Sequence, residues 1–149
     1  MPTIKEIKVK VDLARNGIEQ ETAKIVIQFE QQILDLIREK QLYERGIGGL
    51  GKSLKPYKDV TVWLKQNNKY GGDKRTDNTT LKDRGNFYRS FKTDYGSFEL
   101  EIFATDPKTD GLVKKYGKDI FIMTPDSEGK LSTEIIRPNL IKYFNTFFK

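Results

Sequence analysis

The sequence predicts an α+β fold: a long N-terminal helix and short helices packed on an antiparallel sheet, with a C-terminal helix. Three observations carry this. From about Thr22 to Tyr43, Val26, Phe29, Ile33 and Ile37 recur at three- and four-residue steps, the period of a helix with one buried stripe. Phe98, Leu100, Ile102 and Ala104 alternate with Glu99 and Glu101, the period of a half-buried strand. Strand and helix patterns do not alternate along the chain as a doubly wound parallel sheet requires. The 149 residues are read as a single domain, 1–149, with enough material for a core.

Taken in order, Ile7, Val9, Val11 and Leu13 alternate with Lys8, Lys10 and Asp12, which reads as a short strand or a lead-in to the next helix. Asn16-Gly17 breaks the chain. The long helix follows, with Ile25, Leu34 and Leu36 widening its stripe and Glu30, Gln31, Asp35 and Glu39 on its other face. Gly46 ends it, and residues 46–56 form a loop. Val60–Gln66 reads as a short helix or a strand. Residues 67–80, polar and rich in Gly and Asn, read as a mobile surface loop. Phe87 and Phe91, four residues apart, mark a short helix, with Asp83 as its cap. Tyr95-Gly96-Ser97 turns a strand at 91–95 into the strand that carries Phe98. Ile120–Met123 and Leu131–Ile136 flank Pro125-Asp126-Ser127-Glu128-Gly129, the pattern of a second hairpin. Pro138 opens the last amphipathic helix, with Leu140, Ile141, Phe144 and Phe147 spaced for packing.

Composition excludes several chemistries. There is no Cys, which removes disulfides and thiolate nucleophiles, and no His, which removes the commonest general base and transition-metal ligand. Ser-His-Asp and Cys-His catalysis are therefore outside the reach of this chain. We expect no enzyme and assign no catalytic, metal or cofactor-binding residue. The nine Phe, seven Tyr and one Trp are too many for a disordered tail. Apolar runs are too short to span a bilayer, and MPTIKEIKVKVDL lacks the apolar centre of a signal peptide, so intracellular synthesis without a membrane partner is expected.

The net charge of +6 sits in one place. Residues 45–75 carry eight Lys/Arg against Asp59 and Asp73, while the flanking regions nearly balance. Lys52, Lys55, Lys58, Lys65, Lys69, Lys74 and Arg75 are interleaved there with Tyr57, Trp63 and Tyr70. Cations beside aromatics suit a phosphate backbone and exposed bases. The same lysines suit an acidic protein surface, or simply water with Trp63 in the core. Lys52, Lys55, Lys58, Trp63, Lys65, Lys69, Lys74 and Arg75 are thus the candidate contacts to a partner or to nucleic acid.

Within this segment, Gly46 to Ser53 (GIGGLGKS) satisfies the letters of the phosphate-binding G-x-x-x-x-G-K-S motif, and Gly46, Gly48 and Gly51 satisfy G-x-G-x-x-G. The context opposes both. A phosphate loop joins a buried strand to a helix N-terminus, whereas a long helix precedes these glycines and Pro56 would break any helix begun at Ser53. The glycines read better as a helix cap and chain reversal.

From residue 46 onward the order of features resembles the tail-completion, or neck, proteins of tailed phages, including virion-morphogenesis and minor-tail families. Lys55-Pro56-Tyr57, Thr61 and Lys65 match a "Pro-Tyr/Trp…Thr…Lys" segment that follows a long helix and a glycine-containing loop. Leu81-Lys82-Asp83-Arg84-Gly85-Asn86-Phe87-Tyr88-Arg89-Ser90-Phe91 is similar to "Leu-x-Asp-Thr-Gly-x-Leu-x-x-Ser-Ile/Phe", with Arg84 for Thr and Phe87 for Leu. Tyr116-Gly117 stands where a "His/Tyr-Gly" element is usual, without the histidine. Ile135-Ile136-Arg137-Pro138-Asn139-Leu140 is close to "Ile-Pro-x-Arg-Pro-x-Leu" before a terminal helix. The resemblance covers about two thirds of the chain. It implies a non-enzymatic subunit of a homo-oligomeric ring in the virion, meeting copies of itself, portal, adaptor or tail-tube proteins, or DNA in the channel. A nucleic-acid-binding module using segment 45–75 is the alternative.

Overall fold

The computed structural model describes residues 1–69 and 71–149, and its fold is α+β. The chain opens with α1 (Ile4–Asn16), where the alternating apolar residues lie on a helix and not on a strand. The cause is at its start. Thr3 caps the helix by accepting the Glu6 amide, and Glu6 reaches back to the Thr3 amide, satisfying donors that a first turn leaves unpaired.

α2 (Ile18–Gln28) and α3 (Glu30–Asp35) continue with a change of direction at Phe29, and α3 runs on into a wide π-helical stretch, Leu36–Tyr43. The long helix therefore begins earlier than its stripe suggested and is jointed. Its stripe behaves as expected: Ile25, Val26, Ile33, Leu34, Ile37 and Leu42 are core residues. Residues 46–58 form a loop, α4 spans Asp59–Gln66, and a short α5 covers Asn86–Arg89. The cap of α5 is Gly85, not Asp83.

The sheet is a two-stranded hairpin, β1 (Phe91–Gly96) with β2 (Glu99–Ala104), in antiparallel register from Phe91 opposite Ala104 to Gly96 opposite Glu99. Ser97 and Phe98 form its turn, both at positive φ (51° and 59°). Phe98 thus leaves the strand pattern and is 65% exposed at the tip. Carboxylates on the long helix fasten the hairpin: Glu30 accepts the Thr93 amide and hydroxyl, and Glu19 accepts the Ser97 amide.

α6 (Thr109–Tyr116) and a 3-10 turn (Lys118–Phe121) lead into α7 (Pro125–Lys130). The expected second hairpin over 120–136 is absent, because the turn-like Thr124-Pro125-Asp126-Ser127 is a helix start. Thr124 accepts the Ser127 amide and Pro125 occupies the first turn, where its missing N–H costs nothing. The helical path continues through a π-helical stretch, Leu131–Ile136, into α8 (Arg137–Asn145). The widened turn lies where the Pro138 ring would otherwise meet a carbonyl one turn back.

The core joins these parts. Phe87, Phe91 and Phe121 pack ring to ring, with Phe87–Phe91 centroids 5.0 Å apart and Phe91–Phe121 5.2 Å. Ile120, Met123 and Ile135 close it from the C-terminal side. Tyr143 of α8 donates to the carbonyl of Ala14, tying the last helix to α1.

Candidate functional site

The glycine-rich loop is the first place to test for a phosphate site. Its amides are turned inward. Gly46 donates to Leu42 O, Ile47 to Gln41 O, Gly48 to Lys52 O, Gly49 to Asp119 O and Gly51 to Gly48 O, at 2.8–3.1 Å. Ile47 pairs with Ser53, so the loop is a small closed hairpin, and residues 46–49 are buried. A phosphate cradle needs amides that point at a ligand; these donors are already used by the protein.

The eight sequence-predicted contacts separate into two groups. Lys52, Lys55, Lys58, Lys69 and Lys74 are exposed. Trp63 is 54% exposed, against the reading that puts it in the core, and Val60 beside it on α4 is 62% exposed. Lys58 immediately precedes α4 and Lys69 lies just beyond its end, so lysines bracket this apolar face.

Lys65 and Arg75 are engaged within the fold. Lys65 Nζ donates to the carbonyl of Lys82 at 2.6 Å and lies 3.5 Å from Asp73, with only 9% of its side chain exposed. Arg75 pairs with Asp77 at 2.6 Å, donates to the carbonyls of Tyr43 and Glu44, and stacks on the Tyr43 ring. The Asp77 partner raises the guanidinium further above its usual range, while Arg75 holds the Asp77 carboxyl below its own. Tyr70 lies outside the described residues. The polar segment expected to be mobile also makes definite contacts: Thr79 and Thr80 are buried, and Asn78 and Thr79 bond to Glu44 O and Lys55 O.

Two grooves flank α6. The first, about 540 Å³, lies between α4, residues 81–87 and α6. Leu64, Leu81, Phe87 and Leu112 make its floor; Lys82, Arg84, Lys108 and Lys115 line it together with Asp73 and Asp83. Asp73 is already used by Lys65 and by the Tyr43 hydroxyl, which it pushes to a higher pKa by accepting its proton in a hydrogen bond. Tyr57 holds the wall in shape, its hydroxyl accepting the amides of Thr80 and Leu81 at 3.1 Å. This fixes Leu81 at a positive φ of 56°.

The second groove, about 600 Å³, runs beside β2. Consecutive residues Leu100, Glu101, Ile102 and Phe103 all line it, so it follows the edge of the strand that β1 leaves unpaired. Val113, Phe121, Ile122 and Leu131 form the opposite wall, and Glu101, Asp110 and Glu128 rim it against one cation, Lys118.

Linear charge counting missed both grooves. Lys82, Arg84, Lys108 and Lys115 are diluted in sequence by neighbouring acids, and only the fold gathers them. The acids around β2 were visible only as the polar half of a strand pattern.

Among the described residues, no group of three or more His, Cys, Asp or Glu is placed to hold a metal ion, and no helix is long and apolar enough to cross a membrane. Compared with known proteins, the chain matches no family model, no curated protein and no solved structure. What the structure defines is an α+β protein whose notable features are surfaces: a basic apolar helix face and two grooves of opposite charge.

Proposed function

We propose that this chain is a non-enzymatic structural subunit of a tailed-phage head–tail connector or tail-completion ring, acting by assembly within the virion. One observation carries the reading furthest: large apolar side chains stand at least half exposed on widely separated elements. They are Ile4 and Leu13 on α1, Val60 and Trp63 on α4, Phe98 at the hairpin tip, and Ile141 and Phe148 at the C-terminal end. Single exposed apolar side chains are ordinary on a protein surface; the Val60–Trp63 pair on α4 is the apolar strip that a neighbouring subunit covers on this reading.

The motif order in residues 46–140 supports the same reading. Its Leu81–Phe91 element supplies Leu81, Phe87, Tyr88 and Phe91 to the core, so it serves as a folding unit. Partners on this reading are further copies of the chain and the portal, adaptor or tail-tube proteins. Native mass spectrometry of the purified chain is expected to give a closed multimer. A chain that stays monomeric at all concentrations and is missing from purified tailed particles contradicts the reading.

A second reading, nucleic-acid binding by segment 45–75, is favoured by the exposure of Lys52, Lys55, Lys58, Lys69 and Lys74 together with that of Trp63. It expects DNA affinity that falls steeply with salt and is lost on charge reversal of these lysines. Absence of binding at low salt removes it.

A further inference from the structure

We propose that the outer face of α4, centred on Trp63, docks into the acid-rimmed groove beside β2 of a second copy of this chain. The inference deepens the reading of the chain as a ring subunit and rests on it, naming the contact that would join one subunit to the next.

Four features of the molecule support the pairing. Val60 and Trp63, three residues apart, form one apolar strip on α4, and each is more than half exposed. Tryptophan is among the side chains enriched at the energetic centre of interfaces. The groove offers a matching apolar lining, in which Ile122 is itself 51% exposed.

The charges also match. Exposed Lys58 and Lys69 flank the strip at the two ends of α4, while Glu101, Asp110 and Glu128 rim the groove. Electrostatic complementarity of this kind sets orientation and suppresses wrong pairings.

The groove carries a like-charge pair as well. Glu101 sits directly opposite Asp94 across the hairpin, and like charges in that position destabilise a strand pair. Among the described residues neither carboxylate has a cation within 4.0 Å. Lys92, on the same face two residues along the ladder, is the chain's own nearest strand cation, and a lysine arriving from a neighbour adds a direct partner.

Finally, the two surfaces cannot meet within one chain. On α6, Leu112, Lys115 and Tyr116 face the first groove, whose other wall is α4, whereas Asp110 and Val113 face the β2 groove. The two sets lie roughly 135° apart around the helix axis. α4 and its proposed receptor therefore stand on opposite sides of α6. Their contact is head to tail, the heterologous kind that closes into a ring when the rotation permits.

The sole tryptophan makes the test direct. On raising the concentration of the full chain, Trp63 emission is expected to shift to the blue in step with the appearance of multimers by light scattering. Trp63→Ala should weaken association by about thirtyfold or more, the cost of an interface hot spot.

Glu101→Lys with Asp110→Lys should abolish assembly, although Glu101→Lys turns the repulsive pair with Asp94 into an attractive one and so cannot act by unfolding the hairpin. Adding Lys58→Glu and Lys69→Glu to that variant should restore assembly. Multimers whose tryptophan emission does not change, assembly that survives the charge reversal, or a chain that never assembles would each overturn the proposal. If Glu101→Lys blocks assembly while Trp63 stays exposed, the groove takes another segment and the proposal falls. The ring reading itself is judged separately, by the presence of the chain in tailed particles.

Discussion

Gly49 donates its amide to the carbonyl of Asp119 at 2.8 Å, and this bond turns the glycine-rich loop inward onto the body. A Cβ at Gly49 would lie 2.5 Å from Ile122 Cβ and 2.7 Å from Ile122 O. Gly48 and Gly49 therefore lack side chains because Asp119 and Ile122 lie against them, not because a phosphate needs the space. Gly49→Ala should cost about 1–3 kcal/mol in denaturant unfolding, the range for overpacking a close contact. Exposed Lys52→Ala should stay within about 0.5 kcal/mol of the parent chain. Neither the parent nor the Lys52 variant should bind ATP or GTP in equilibrium dialysis.

Gln41 is the polar link between the long helix and the start of α7. Its side chain is 1% exposed, accepts the Thr124 amide at 2.8 Å and donates to the Ile122 carbonyl at 3.0 Å. Gln41→Leu keeps the volume but strands both backbone groups. A loss of about 2–4 kcal/mol is expected, the cost of two buried unpaired groups, measured as a lower urea midpoint with unchanged slope.

Ser97 and Phe98 occupy both positive-φ positions of a two-residue hairpin turn, a conformation that Asn-Gly adopts with far less strain. Ser97→Asn combined with Phe98→Gly should raise stability by about 1–2 kcal/mol, read from the thermal midpoint. A destabilised double variant would show that the Phe98 side chain packs on the body.

Alkaline pH should act through two tyrosines. Burial, then the nearby Glu39 carboxylate, raise the Tyr88 pKa; the Asp73 hydrogen bond, then burial, raise that of Tyr43. With folded values above the ordinary 10.0, the unfolded chain loses these protons first. Stability is intact below about pH 10 and declines as pH rises beyond it. Thermal melts across this range should show that decline, and Tyr88→Phe should flatten it.

Much of the fold was legible in the sequence because its signals were local and repeated. The stripe of Ile25, Val26, Ile33 and Ile37 and the alternation of Leu100 and Ile102 each report a buried face directly. Errors fell where one local pattern has two meanings. Thr124-Pro125-Asp126-Ser127 contains the same residue types as a turn, and only the Thr124 side chain on the Ser127 amide makes it a helix start. Ile7, Val9 and Val11 alternate as a strand would, yet the Thr3–Glu6 cap decides for helix.

The candidate surfaces were legible only in part. The excess charge at 45–75 was plain, but the internal use of Lys65 by Lys82 O and of Arg75 by Asp77 depends on contacts that no spacing encodes. Arg38 was missed as well. Its buried guanidinium binds Asp35, Gln31 and the Tyr88 carbonyl, joining the long helix to the Leu81–Phe91 element across 50 residues of sequence.

The most direct test of a ring role is immunogold electron microscopy of tailed particles purified from cells that produce this chain. The account predicts label confined to the head–tail junction or the end of the tail tube. Unlabelled particles, with all of the chain left in the soluble fraction, would contradict it.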